Sequence, residues 1–443
     1  MPSHPSYRVP HLLPNVPAVP QELVAELLDD WQQLARQEPP ASLTDYVSEK
    51  YGLDVSTEYA GIPLSCPWGK ASGQLSMNTA QVQDDIEAGL GFIVLKTVIA
   101  EDEQQQQSMA AWAVQEARML VEPIEGESGE TGWNVSWKGR GWWQSFEDYL
   151  ELVRQARQLS VAAGQGDSPG TLIVPSCKYH LPTPEETGWK VEEYRYTTSR
   201  LLEAWYSVSS GADEVMPLEK DFSPTLAGSD HSLVQQQILH WLSEVPRLIR
   251  EGASHGPPSS RPAGCSIRIG LKLFNALFDE EFQLQMLRAV HQPGPGRPDF
   301  LIYGNRLFDL NRDFEGRRGI AYGGPDLSDR NLRVLEAFQQ EWADLPGGPL
   351  PCSATGNITS GKMALEYALR GCSTFQLHTF FQLPGNQYRR QTGSRTQRAL
   401  HELYLHPKHG LVVWMHHLAA TLGLNDSPIR LRDLVGRGLE LQR

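Results

Sequence analysis

Short apolar runs rich in β-branched residues, bounded by Gly, Pro, Ser and Asp, recur along the chain and alternate with helically spaced segments. Eight of them read as strands: "PLSCPWGKASG" (63–73), "FIVLKTV" (92–98), "TLIVPS" (171–176), "EVMPLEK" (214–220), "SIRIGLKL" (266–273), "DFLIYG" (299–304), "LPCSAT" (350–355) and "TFQLHT" (374–379). The 214–220 run is the weakest of these. Helical patterns separate most of them, which predicts parallel β/α architecture. A count near eight predicts a closed (β/α)8 barrel, the TIM-barrel form of an α/β fold. In such a barrel the reactive residues stand at the C-terminal ends of the strands.

Ahead of the first strand, "QELVAELLDDWQQLAR" (21–36) spaces Leu23, Leu27, Leu28, Trp31 and Leu34 as one face of a helix. The expected layout is an N-terminal arm and helix over 1–60, a barrel with insertions over 61–385, and a C-terminal helical extension over 386–443. "EDEQQQQ" (101–107) reads as a polar start to a helix. Residues 122–140, 223–232 and 252–264 read as loops or insertions, being rich in Gly, Ser, Pro and charge.

Composition narrows the function classes. The chain has 443 residues and a formal net charge of −14. An acidic protein repels nucleic acid and anionic lipid, so neither is an expected partner, although local cations can still bind a small anion. No apolar run approaches the roughly 20 residues of a membrane span. The five cysteines, Cys66, Cys177, Cys265, Cys352 and Cys372, are scattered and contain no CxxC pair. That argues against a disulfide framework, a zinc site or an iron–sulfur cluster, and it fits the reducing cytoplasm.

Candidate chemistry gathers near the last two strands. In "SATGNITSGKMALEYALRGCSTFQLHTFF" (353–381), Gly356 allows close backbone approach, Thr359 and Ser360 are N-cap candidates, and Gly371 can end the helix. The segment is either a phosphate-gripping corner, as loops after the last strands of such barrels often are, or an ordinary strand–helix–strand unit. Lys96 and Lys272 sit inside apolar strands. Each either lines a polar barrel mouth or forms a structural ion pair.

Taken in order, several strand ends resemble the dihydroorotate dehydrogenase family, above all its soluble class 1 branch of flavin-binding barrels. They are "CPWGKASG" (66–73), "GLGFIVLKTV" (89–98), "PLEKDFSP" (217–224), "IGLKLFNALFDEEF" (269–282), "DFLIYGN" (299–305), "GIAYGGPDL" (319–327) and the 353–381 segment. The resemblance implies a bound flavin mononucleotide (FMN). Ala71, Ser72, Gly73, Lys96, Thr97, Lys272 and Asn305 would stand near its ring and ribityl chain. Gly323, Gly324, Gly356, Asn357, His378 and Thr379 would surround its phosphate. Lys96 and Asn134 would meet the substrate, and the catalytic residues would be Ser223, as a base helped by a water or a polar relay, and Lys96. A cation at Lys272 would stabilise negative charge on the reduced flavin.

The implied activity is an oxidoreductase acting on a CH–CH bond, with dihydroorotate or a related cyclic amide as substrate, as in pyrimidine biosynthesis. Its partners would be this small molecule and a second electron acceptor, which can be fumarate in the soluble branch. Soluble members are often homodimers. The chain departs from the family at Lys220 and Thr225, where asparagines flank the base, and at Asn357, His378 and Arg306. These departures leave two alternatives: a barrel acting on another metabolite, or a non-catalytic scaffold. The tryptophans of "WNVSWKGRGWW" (133–143) read equally as packing residues or as an aromatic lid. The histidines of 406–417 read as helix and loop residues, with no metal expected.

Overall fold

The computed structural model describes residues 10–115, 119–137, 141–164, 170–183, 185–186, 188–208, 214–222, 231–255, 266–275, 278–314, 316–424 and 427–442. It is an α/β structure built on one curled, parallel sheet of ten strands. In order across the sheet these are Val98–Ile99, Ser176–Lys178, Val215–Asp221, Ser266–Phe274, Phe300–Asn305, Cys352–Thr355, Cys372–Leu377, Trp68–Lys70, Phe92–Val94 and Leu172–Val174. All eight expected strands occur. Two runs are split: 92–99 breaks around Leu95–Thr97, and 171–178 breaks at Pro175, which has no N–H to give a ladder.

The curl is visible in contacts between strands that are far apart in the sheet order. Tyr59 packs against Phe92 in a tilted contact and against Phe300 edge-to-face, with ring centroids 4.5 and 5.0 Å away. Glu219 accepts hydrogen bonds from Tyr59 Oη and from Gln376 Nε2, across the concave face. The concave face has a dry floor of Tyr59, Leu64, Phe92, Val94, Leu172, Val174, Phe300 and Ile302. Gly69 and Gly270 make room for it, since a Cβ on either would come 2.2 Å from Phe92 or Phe300. The convex face packs against helices Thr79–Glu87, Phe146–Ala163, Val191–Tyr206, His231–Ser254, Glu280–Val290, Pro325–Gln339 and Gly361–Leu369.

The expected helix of 21–36 spans Gln21–Leu34, and helices Arg395–Leu405 and Leu411–Leu422 follow the last strand. The 361–369 helix is capped by Ser360, whose hydroxyl accepts from Met363 N, and Gly371 follows it at φ +97°.

Two expectations are corrected. Residues 101–107 do not start a helix: the Asp102 carboxylate accepts from Gln104 N and Gln106 N, holding a turn instead. Residues 122–140 are not simply a loop. Met119–Glu125 and Thr131–Trp137 pair as an antiparallel hairpin. The 223–230 part of the second expected loop and the 256–264 part of the third lie outside the described residues, while 231–254 is helical. No described helix is long and apolar enough to cross a membrane. Cys66, Cys177, Cys352 and Cys372 are free thiols, and the last two lie 3.6 Å apart on paired strands.

Candidate functional site

Strand register decides which side chains enter the concave face. Ser176 pairs with Glu219, Glu219 with Gly270, Asp221 with Lys272, and Lys272 with Ile302. Because side chains alternate, the series from floor to rim reads Phe92, Val94, Lys96 on one strand and Leu172, Val174, Ser176, Lys178 on the next. Glu219 and Asp221 follow, then Gly270 and Lys272. The floor is apolar and the rim at the C-terminal ends is charged.

Both expected lysines lie on this rim, Lys96 at 4 % and Lys272 at 5 % exposure. The Lys272 ammonium makes no hydrogen bond or ion pair with any described residue. Lys272 does act on the Glu219 carboxyl, which burial pushes up and the Lys272 charge draws back. Glu219 Oε2 and Gln376 Oε1 are also buried without hydrogen-bond partners. Ser72, Thr97 and Ser176 form a chain of hydroxyls, 2.8 and 3.0 Å apart. Ala71, expected beside the ring, is buried, and its amide donates to Leu377 O.

His378 stands across from the lysines. Burial holds its imidazole well below its ordinary pKa, and Arg306, Lys96, Lys70 and Lys272 push it further, so it is neutral. It packs onto Gly73, where a Cβ would come 2.2 Å from Nε2, and Gln382 Nε2 lies 3.0 Å from the ring. The rim is therefore cationic inside an acidic protein, which favours an anionic or electron-rich occupant.

The expected phosphate residues also converge. Gly324 at φ +100°, Gly356 at +107° and Asn357 at +51° occupy the left-handed region, where successive amides can turn toward one anion. Their amides donate to no carbonyl or side chain among the described residues. Asn357 Nδ2 donates to Ser328 Oγ, while its Oδ1 has no partner. Gly324 also starts the helix Pro325–Gln339. Thr379 follows His378 and starts a short 3-10 turn, and Asn305 ends its strand with its carbonyl accepting from Asn275 N.

The 119–137 hairpin covers this corner. Asn134 is fully buried; its Oδ1 accepts from Gly323 N at 2.9 Å and its Nδ2 donates to Ser136. Ile124 abuts Gly324, and Gly132 abuts Pro325 and Asn357. Arg306 Nη1 donates to Val135 O. Asn134, expected to meet the substrate, instead takes up the Gly323 amide, so Gly323 has no free amide to offer a phosphate. Trp142 is buried, its Nε1 donating to Ser145 O, and Trp133 packs on the core, so both are packing residues; Trp143 is exposed.

Ser223 and Thr225 lie outside the described residues. Lys220, one of the departures from the family, pairs in register with Cys177 on the convex face, fully buried, and donates to Asp221 O. Burial and the nearby Lys178 bring its pKa down to about 7. The rim position on this strand belongs to Asp221, which had not been singled out, nor had Lys178, Glu219 or Gln376. The "SCK" and "EKD" spacings carried the signal: two polar residues at i and i+2 at a strand end.

The C-terminal histidines hold structure. His416 Nε2 lies 3.1 Å from Tyr51 O, His417 Nδ1 accepts from Ala18 N, and His406 stacks on His409. A separate group, His11, Glu130 and Asp329, brings potential metal-ligand atoms within 4.8 Å of one another. There His11 bridges Asp329 at 3.5 Å and Glu366 at 3.6 Å and fastens the N-terminal arm.

No protein-family model matches the chain, and no curated protein matches it.

Proposed function

We propose that the curled sheet is a closed eight-stranded β/α barrel, with Leu172–Val174 and Ser176–Lys178 as one strand interrupted at Pro175, and that its rim binds FMN for the oxidation or reduction of a carbon–carbon bond. The observation that carries this reading is Lys272. A buried lysine whose ammonium has no hydrogen-bond or ion-pair partner among the described residues is costly unless a ligand supplies one.

The residues present fit the cofactor at both ends. Lys96 and Lys272 would face its polar ring edge, with the Ser72–Thr97–Ser176 hydroxyls beside them. The amides of Gly324, Gly356 and Asn357 would hold its phosphate, with Thr379 alongside. When bound, FMN supplies a two-electron hydride acceptor. The protein's part is to orient the substrate above the ring, keep water out beneath the hairpin and take up the substrate's proton. The likeness to dihydroorotate dehydrogenases suggests dihydroorotate or a related cyclic amide as donor, and a second acceptor would reoxidise the flavin.

A second reading is an anion-binding barrel without redox chemistry. Two observations favour it: the Gly323 amide is already taken by Asn134, and His378 lies against Gly73.

The test is the visible spectrum of the purified protein, followed by dihydroorotate without oxygen. Bound yellow flavin that bleaches supports the first reading. Flavin that stays oxidised moves the search to other donors. A colourless protein that refuses added FMN leaves the second.

A further inference from the structure

We propose that Asp221 is the catalytic base, accepting the proton that the substrate loses; this rests on the redox reading above. Three successive strand segments present Lys178, Asp221 and Lys272 on the concave rim, and Lys96 stands in the break between Phe92–Val94 and Val98–Ile99. Among the described residues, Asp221 is the carboxylate in this layer. Its Oδ2 lies 3.4 Å from Lys178 Nζ, and Lys272 is its register partner on the other side. The Asp221 side chain is 11 % exposed and that of Lys178 is 0 %.

Elimination among the rim groups leads to the same residue. His378 is surrounded by cations, which makes its imidazole a weak acceptor. Glu219 sits one layer deeper and is engaged by Tyr59 and Gln376. A serine hydroxyl alone is a poor base at neutral pH, so the position two residues beyond Asp221 needs a carboxylate nearby even if it takes part.

The step balances. One substrate C–H bond breaks, and its electron pair forms the second bond between the two carbons. The neighbouring carbon gives up hydride to flavin, which is the oxidant and is reduced. The proton passes to the Asp221 carboxylate. Lys178 is a positioning residue that orients this carboxylate and balances its charge.

The test compares wild type, Asp221→Asn, Asp221→Glu and Ser223→Ala in anaerobic single-turnover reduction by dihydroorotate, with FMN affinity measured separately by fluorescence quenching. D221N should bind FMN at least as tightly as wild type, because it removes a negative charge from a cationic rim. Its flavin reduction should slow by about 10²–10⁴-fold, the range for a lost general base. D221E should recover part of that rate, and S223A should lose less than D221N. Should D221N fail to fold, Asp221→Gln, whose longer amide can still accept from Lys178, takes its place. Undiminished reduction in a folded Asp221 variant overturns the assignment while leaving the redox reading intact. A wild-type flavin that dihydroorotate cannot reduce overturns the assignment of Asp221 for this substrate, and a wild type that takes up no FMN overturns the redox reading as well.

Discussion

Lys70 and Lys272 are buried lysines on the same sheet, and they meet opposite fates. Lys70 points to the convex side, where its ammonium lies 2.9 Å from Asp85, 3.0 Å from Thr396 Oγ1 and over the Phe381 ring. Every direction around it is filled by protein. Lys272 points to the concave rim, and its ammonium finds no described partner. A buried carboxylate meets the Lys70 ammonium, although burial still holds its pKa below the ordinary lysine value, and no such contact reaches Lys272 among the described residues. A lysine inside an apolar strand is thus a structural ion pair on one face of the sheet and a candidate ligand contact on the other.

The largest effect should come from breaking the paired lysine. Lys70→Met leaves Asp85 buried without its cation, and removing one partner of a buried pair costs about 3–5 kcal/mol. The urea midpoint should fall accordingly, with FMN affinity unchanged in whatever fraction stays folded. Lys272→Met should do the reverse. Stability should hold or rise, because an uncompensated charge leaves the interior, while FMN affinity should drop at least tenfold, about 1.4 kcal/mol. Equal losses of stability in the two variants would erase the distinction.

Asn134→Ala sharpens the contrast at the phosphate corner. It removes the acceptor for Gly323 N–H and should cost about 1–3 kcal/mol. Hydrogen exchange should quicken in the 119–137 hairpin before it quickens in the sheet.

The smallest effect concerns the N-terminal arm. Burial lowers the His11 pKa, but hydrogen bonds and charge from Asp329 and Glu366 outweigh it and raise the group from 6.5 to about 9. A raised folded-state pKa stabilises most below pH 6.5, and the contribution is lost as pH rises through 9. After solvent screening it should amount to about 1 kcal/mol. Melting temperature across pH 6–10 should decline in wild type and flatten in His11→Gln.

The strands were legible because each is a short β-branched run closed by Gly, Pro or a polar residue. "LPCSAT" and "TFQLHT" became Cys352–Thr355 and Cys372–Leu377 with little adjustment. The rim was only half legible. Lys96 and Lys272 stood out as lone charges in apolar runs. Asp221 did not, because "LEKD" offers three charged residues in a row, and a one-residue change of register exchanges the two faces. Only pairing of Asp221 with Lys272 and of Lys220 with Cys177 separates them. The hairpin was missed for a different reason: Pro123 interrupts its first strand, and its Gly- and Glu-rich turn has the composition of a loop. Its partners, Gly323 and Pro325, lie about two hundred residues away in the chain, beyond the reach of local pattern. His11 against Glu366 is a longer-range case of the same kind.

The most direct test of the central claim is FMN titration of the purified chain beside Lys272→Met, read by quenching of flavin fluorescence. Saturable binding by wild type that weakens at least tenfold in a folded K272M is the expected result. Equal binding by both proteins, or binding by neither, would contradict the assignment of the unpartnered lysine to a flavin.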